Sequence, residues 1–238
     1  MTTTFYAPPG AFAGTRVVLP EAEARHAVRV LRLREGDEVV VVDGVGGWHR
    51  VRLALTTREG AIGEVVETRR DVNEPAAGLT LALPPLKAAD RFEFAVEKAV
   101  ELGVTAFVPL RTARTEGRIK AARLEAHVVA AMKQSLRCRL PRLAAETPLA
   151  TLLASAEGAV FLLHEAADSA RTLPRRLAEV PPGAPVTVVI GPEGGFTPDE
   201  VRAAEAAGAL VASLGPRRLR AETAALVACT AVLLHRLG

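Results

Sequence analysis

The chain has 238 residues, 49% of them apolar and 24% charged, which is an ordinary globular composition with material for one large domain or two small ones. Its longest apolar run lies within residues 224–234 and is too short to span a bilayer, and no basic segment followed by an apolar stretch opens the chain. These features exclude a membrane-spanning helix, predict no secretory leader or membrane partner, and point to the cytoplasm. Cys138 and Cys229 lie far apart without metal-ligand spacing, so they read as small buried side chains and no metal site is expected.

Residues 1–72 read as a small β-rich unit. Strands are predicted at 3–6, 16–19, 38–42, 48–56 and 61–68. Residues 21–31 have helical spacing, with Ala24, Ala27, Val28 and Leu31 on one side. Arg25, Arg29 and Arg32 would share another face, with His26 and Arg34 nearby; this is either a solvated face or a nucleic-acid contact. Asp43-Gly44-Val45-Gly46-Gly47 reads as a hairpin loop. A dinucleotide fingerprint is rejected there, because a strand follows it and His49 takes the third glycine position. Trp48 and Tyr6 are too few for a stacking platform and read as packing residues.

Residues 71–78 read as a linker, after which strands and helices alternate. Strands are predicted at 79–83, 105–110, 159–163, 186–190 and 210–214. Helices are predicted at 90–102, 119–140, 149–156, 198–207 and 221–237, with 170–178 partly helical. In the helix at 90–102, Phe94, Val96, Val100 and Leu102 form the apolar set and Gly103 is the stop. The alternation predicts a mostly parallel sheet with helices on its faces, an α/β domain over residues 73–238.

The net charge of +3 is unevenly spread. Residues 111–142 hold nine Lys/Arg against two Glu, whereas residues 143–210 hold four Arg against nine acids. Such a local basic block suits a polyanion-facing surface. Only four of the thirty cations are lysine, and arginine suits bidentate phosphate contact, although genomic composition or heat tolerance gives the same bias.

Three strand exits carry the chemistry. They are Leu163-His164-Glu165, Ile190-Gly191-Pro192-Glu193-Gly194-Gly195-Phe196, and Leu214-Gly215-Pro216-Arg217-Arg218-Leu219-Arg220-Ala221-Glu222-Thr223-Ala224. Each follows an apolar strand, so all three can meet at the carboxyl edge of one sheet, where open α/β sheets bind ligands. Thr197 with Glu200 reads as a capping box, with Pro198 at the first helical position. A tight connection with no ligand is the alternative for the second exit. A helix cap at Glu222 or Thr223 is the alternative for the third.

The second and third exits together resemble the paired signature of SPOUT-superfamily methyltransferases, and in particular the 16S rRNA uridine-N3 methyltransferase family. The resemblance runs the length of the chain. His26 with the segment 30–37 resembles the family's PUA-like RNA-binding domain. Lys87, Arg91, Glu97-Lys98 and Glu101-Leu102-Gly103 resemble the opening of its catalytic domain. Residues 131–135 with Arg137 resemble its central helix, although Lys133 stands where an acid is expected.

The resemblance implies a catalytic domain with a deep trefoil knot behind a PUA-like barrel. It also implies S-adenosylmethionine bound in the knot loops, a homodimer, and methylation of uracil N3 in 16S ribosomal RNA, on an assembled small ribosomal subunit. The cofactor set is then Leu163, His164, Glu165, Ile190, Gly191, Pro192, Glu193, Gly194, Gly195, Leu214, Gly215, Leu219, Thr223 and Ala224. Arg220 and Glu222 are the catalytic candidates, with Arg91 a candidate to reach a partner subunit's site. Arg25, His26, Arg29, Arg32, Arg34, Lys87 and Arg137 are the RNA-binding candidates. The rivals are a SPOUT methyltransferase acting on transfer RNA or a ribose hydroxyl, a non-catalytic RNA-binding assembly factor, and a small-molecule α/β enzyme using another nucleotide.

Overall fold

A computed structural model describes residues 3–56, 60–119, 121–165, 167 and 170–237. The chain divides into two compact units, Met1–Glu74 with Val129–Leu140, and Pro75–Val128 with Pro141–Gly238. The return of 129–140 to the first unit is not contained in a linear division at 72/73.

The first unit holds β1 (Thr4–Tyr6), β2 (Phe12–Ala13), β3 (Arg16–Val18), α1 (Glu21–Arg25), β4 (Glu38–Val42), β5 (Gly47–Thr56) and β6 (Ala61–Arg70). The strands form one sheet in the order β1-β4-β5-β6-β3-β2, antiparallel except where β1 runs parallel to β4. Register shifts between Arg50 and Val51 and between Leu53 and Leu55 bend β5 and curl the sheet. Phe5, Val17, Leu19, Val41 and Leu53 fill the core it encloses. The loop at 43–47 is the expected hairpin, closed by Asp43 Oδ1, which accepts the N–H groups of Val45 and Gly47 at 2.8 and 2.7 Å.

Two expectations fail in this unit. The helix predicted over 21–31 is α-helical only to Arg25. His26–Val30 then widen into one π turn, in which Leu31 N–H reaches His26 O at 3.0 Å. Arg32 follows in the left-handed region at φ +57°, so it leaves the face of Arg25 and Arg29. The helix predicted over 119–140 ends at Gln134, because Leu136 takes φ +60° and Arg137 N–H turns back to Met132 O at 3.0 Å. Neither glycine nor proline marks that stop. Beyond it Glu74 holds the chain by accepting Arg137 Nη2–H at 2.8 Å and the N–H groups of Cys138 and Arg139 at 2.8 and 2.7 Å.

The second unit holds β7 (Leu79–Leu83), α2 (Ala89–Glu101), β8 (Ala106–Arg111), most of α3 (Ala121–Gln134), β9 (Arg142–Leu143), β10 (Thr147–Pro148), α4 (Leu149–Ser155), β11 (Ala159–Leu163), α5 (Leu173–Leu177), β12 (Val186–Ile190), α6 (Pro198–Ala206), β13 (Leu210–Ala212) and α7 (Ala221–Leu237). The sheet is parallel, in the order β10-β8-β7-β12-β11-β13, with β9 also on β8. Every residue of β12 is buried, as its β-branched run requires of a central parallel strand. Ala82, Val108, Leu162 and Val189 face α4 and α6 through one core, whereas Phe107 on the other face meets Phe92 of α2 at 5.5 Å. Phe94, expected in the apolar set of α2, is instead 47% exposed, with Lys98 Nζ 5.9 Å from its ring.

Candidate active site

The strand register brings the three exits level. Leu163, the last residue of β11, pairs with Ile190 at the end of β12 and with Ala212 at the end of β13. The loops that follow enclose a cavity of about 450 Å3, within the range of small-ligand sites. Leu163, His164 and Glu165 line it from the first exit, Ile190 to Gly195 from the second, and Leu214, Gly215, Leu219 and Ala224 from the third. Thirteen of the fourteen cofactor candidates therefore fall on one cavity. Thr223 is the exception: α7 begins at Ala221, so Thr223 sits inside its first turn and is neither a lining residue nor the residue before the helix.

The glycines of the second exit have distinct geometric roles. Gly195 has φ +69°, and its N–H closes a turn on Pro192 O at 2.8 Å. A Cβ on Gly191 would lie 3.1 Å from the ring of Phe196, which is tucked under the loop and 5% exposed. A Cβ on Gly194 would lie 3.2 Å from Arg114 Cδ. The predicted capping box is formed: Thr197 Oγ1 accepts Glu200 N–H at 3.2 Å, and Glu200 Oε2 accepts Thr197 N–H at 2.8 Å.

Segments leaving β7 and β8 hold this loop from outside. Glu193 Oε1 accepts Lys87 N–H at 2.9 Å, so the Glu193 side chain is a tether of the loop. Glu200 Oε1 accepts Ala113 N–H at 2.8 Å, and Arg114 Nη1–H donates to Gly194 O at 2.6 Å. The turn that presents Ala113 and Arg114 is closed by Thr115 Oγ1, which accepts Thr112 N–H at 2.9 Å. Gly117 fits beneath Pro85 and Leu86, where a Cβ would lie 2.3 Å from Pro85 O.

The three catalytic candidates share the cavity. Arg91 Nε stands 3.9 Å from Glu222 Oε1, with the arginine half-exposed and the Glu222 side chain 13% exposed. Arg220 lines the same rim. Arg91 thus reaches the cavity of its own chain. Arg114, Phe196, Arg217 and Arg218 also line the cavity without having been placed in its predicted residue set. Arg218 Nε lies 3.2 Å from Glu165 Oε2. The available signal for Arg114 was the Thr112-Ala113-Arg114-Thr115 turn at the exit of a neighbouring strand.

The RNA candidates divide. Arg25, His26, Arg29, Arg32 and Arg34 are exposed on the first unit, and Arg25 pairs with Glu21 one turn away. Lys87 Nζ is exposed and 2.9 Å from Glu116. Arg137 is a correction: its side chain is 3% exposed and bound by Glu74 at 2.8 Å, so its guanidinium is structural and cannot meet a phosphate. Within the basic block of 111–142, four further cations are paired with acids, three of them at the surface. Arg111 pairs with Glu146, Arg123 with Glu93, Lys133 with Glu23, and Arg139 with Asp71. Lys133 is accordingly matched by an acid on α1, at 2.5 Å.

With a parallel-sheet cavity in one unit and a curled sheet in the other, the chain is an RNA methyltransferase by the families it matches. Residues 73–233 match an RNA methyltransferase domain and residues 19–66 an RNA methyltransferase PUA domain. A Mycobacterium bovis relative, ribosomal RNA small subunit methyltransferase E, is 34% identical over 232 residues, covering 92% of this chain and 86% of its own. The Synechocystis relative of the same name is 36% identical, covering 89% and 71%. The crystal structure of ribosomal RNA small subunit methyltransferase E from Neisseria gonorrhoeae, bound to S-adenosyl methionine, superposes with a TM-score of 0.85 at 29% identity over 98% of each chain. The chain belongs to the ribosomal RNA small subunit methyltransferase E family.

Proposed function

We propose that this chain methylates N3 of one uridine in 16S ribosomal RNA, using S-adenosylmethionine held in the cavity between the three strand exits, on the assembled small subunit in the cytoplasm. The observation that carries the reading is the convergence of the exits of β11, β12 and β13 on one cavity. Leu163, Ile190, Leu219 and Ala224 offer apolar walls, and the loop backbone offers the donors and acceptors an adenine edge requires. When bound, the cofactor supplies a methyl group already activated on a sulfonium, so the protein's task is mainly alignment.

Uracil N3 carries a proton that must leave as the N–C bond forms. Glu222, mostly buried and facing Arg91, is assigned as its acceptor, a step worth on the order of 10²–10⁴-fold. Arg220 is assigned to the negative charge that develops on the uracil carbonyls. The exposed Arg25, His26, Arg29, Arg32 and Arg34 of residues 1–72, with Lys87 of residues 73–238, are assigned to RNA backbone, which makes binding salt-dependent. The target base is turned out of its stack to enter the cavity.

The chain is further proposed to be a trefoil-knotted homodimer. The sheet order, with β12 inserted between β7 and β11, supports the knot. An apolar groove along α7, with Val227 41% and Leu234 62% exposed, supports a second copy as its occupant, because α7 starts at the cavity. Leu234→Glu is expected to convert the dimer to monomer in light scattering; a monomeric parent would refute the pairing.

The deciding experiment is methyl transfer from labelled S-adenosylmethionine to small subunits from cells lacking this gene, followed by nucleoside analysis. Label in N3-methyluridine at one position is expected. Transfer only to transfer RNA or to a ribose hydroxyl would overturn the substrate, and no transfer to any RNA would favour an assembly factor.

A further inference from the structure

The charges on the cavity rim are not equivalent. Three carboxylates line it, and each already has a partner: Glu165 faces Arg218 at 3.2 Å, Glu222 faces Arg91 at 3.9 Å, and Glu193 takes Lys87 N–H at 2.9 Å. Three lining arginines, Arg114, Arg217 and Arg220, have no carboxylate within ion-pair distance among the described residues. An arginine lining a ligand cavity without an internal counter-charge keeps its fork of donors available for an anion from outside.

Arg114 differs from the other two in being fixed in place. One N–H is spent on Gly194 O at 2.6 Å, and its Cβ and Cδ would lie 3.4 and 3.2 Å from a Cβ on Gly194, so its stem packs on the bare Cα of that glycine. The partner is a neutral carbonyl, which positions the guanidinium without neutralising it. A guanidinium has five N–H donors in a rigid fork, so most of its binding capacity stays available. Holding the side chain beforehand also lowers the entropy lost when a ligand is bound. All three arginines are exposed, and Arg217 and Arg220 have no such tether among the described residues.

S-adenosylmethionine carries one anionic group, the carboxylate of its amino-acid end. Its adenine matches the apolar walls supplied by Leu163, Ile190 and Leu219, which leaves the charged end for the polar rim. We infer that Arg114 is the recognition residue for the cofactor's carboxylate, presented by the turn after β8 and locked against the glycine loop. This assignment rests on the cofactor proposed above. It gives Arg114 two roles in one position, since the same side chain braces Gly194.

The test separates recognition from bracing. Binding of S-adenosylmethionine and of 5′-methylthioadenosine, which lacks the amino-acid end, is measured by calorimetry on the parent protein, Arg114→Ala and Arg114→Lys. Arg114→Ala is expected to weaken S-adenosylmethionine about tenfold, as loss of a charge-assisted hydrogen bond does, and to change methylthioadenosine less than about twofold on the same scale. Arg114→Lys should recover part of the loss. Equal weakening of both ligands in Arg114→Ala would overturn the inference and leave Arg114 a brace alone. Unchanged affinity for both, with weaker RNA binding, would overturn it in favour of a phosphate contact. Failure of the parent to bind either ligand would refute the cofactor assignment and this inference with it.

Discussion

Glu200→Ala tests whether the glycine loop is shaped from outside. The Glu200 carboxylate accepts two N–H groups on different segments, Thr197 N–H at 2.8 Å and Ala113 N–H at 2.8 Å. Substitution removes both bonds but leaves Thr197 Oγ1 to cap Glu200 N–H, so α6 keeps half of its box. Each lost bond costs about 1 kcal/mol, for a total of about 2 kcal/mol. In a domain of this size that lowers Tm by roughly 4–8 °C, at 2–4 °C per kcal/mol. The larger effect is expected on the site, because Thr197 directly follows the loop that contains Gly191, Gly194 and Gly195, and Ala113 adjoins Arg114, which donates to Gly194 O. Calorimetry should show S-adenosylmethionine binding about tenfold weaker at a temperature where the variant is fully folded, the equivalent of about 1.4 kcal/mol of loop reorganisation. Glu200→Gln should recover part of it, since an amide oxygen still accepts one N–H. A variant with the expected fall in Tm and unchanged cofactor affinity would refute the reasoning, because the brace would then contribute only to stability.

Three further outcomes follow from particular contacts. Glu74→Ala leaves Arg137 buried without its carboxylate and should cost about 3–5 kcal/mol in denaturant unfolding; a cost below about 1 kcal/mol would mean that the pair is solvated. Arg220→Ala should lose turnover while retaining cofactor affinity, and equal loss of both would make Arg220 a binding residue. Burial pushes the Cys138 thiol up to about 11 and the Cys229 thiol up to about 12, from 9.0. The folded state therefore holds these protons where the unfolded state releases them, so stability is unaffected below about pH 9 and falls as pH rises through the folded values. Neither thiol should react with a disulfide reagent at pH 8 before unfolding; rapid native reaction would contradict their burial.

The elements legible in the sequence are those whose signal is local. Val186–Ile190 is a β-branched run that has to be buried on both faces, and Thr197-Pro198 with Glu200 spells a helix start within four residues. Both are found as read, and the three exits then meet because parallel strands of equal register end together. What was not legible depends on partners distant in the chain. Lys133 and Arg137 look like part of a polyanion-binding block until Glu23, 110 residues away, and Glu74, 63 residues away, are brought beside them. Backbone conformations without their usual residues were equally hidden. Leu136 stops α3 in a left-handed conformation that glycine normally supplies, and the π turn at His26–Val30 removes Arg32 from a face that regular helical spacing would have given it. Phe94 is apolar and helical yet exposed, which periodicity cannot distinguish from a core position.

The sheet order explains why the site has walls on one side and a brace on the other. β12 is hydrogen-bonded to β11 on one edge and to β7 on the other, so the loop leaving it at Gly191 has two sets of neighbouring exits. On the β11 side, the exits of β11 and β13 supply Leu163, Leu214 and Leu219, which can only serve a ligand as walls. On the β7 side, the exits of β7 and β8 supply Lys87 N–H and Arg114, which bind the loop at Glu193 and Gly194, and Ala113 N–H, which binds Glu200 in the first turn of α6. A loop with three glycines has much conformational entropy to lose when it closes on a ligand. Three hydrogen bonds from one side, each anchored in a parallel strand, reduce that loss before the ligand arrives. The cofactor affinity proposed for this site therefore depends on five strand exits, and substitutions at Lys87 or in the 112–117 turn should change it even where they touch no ligand.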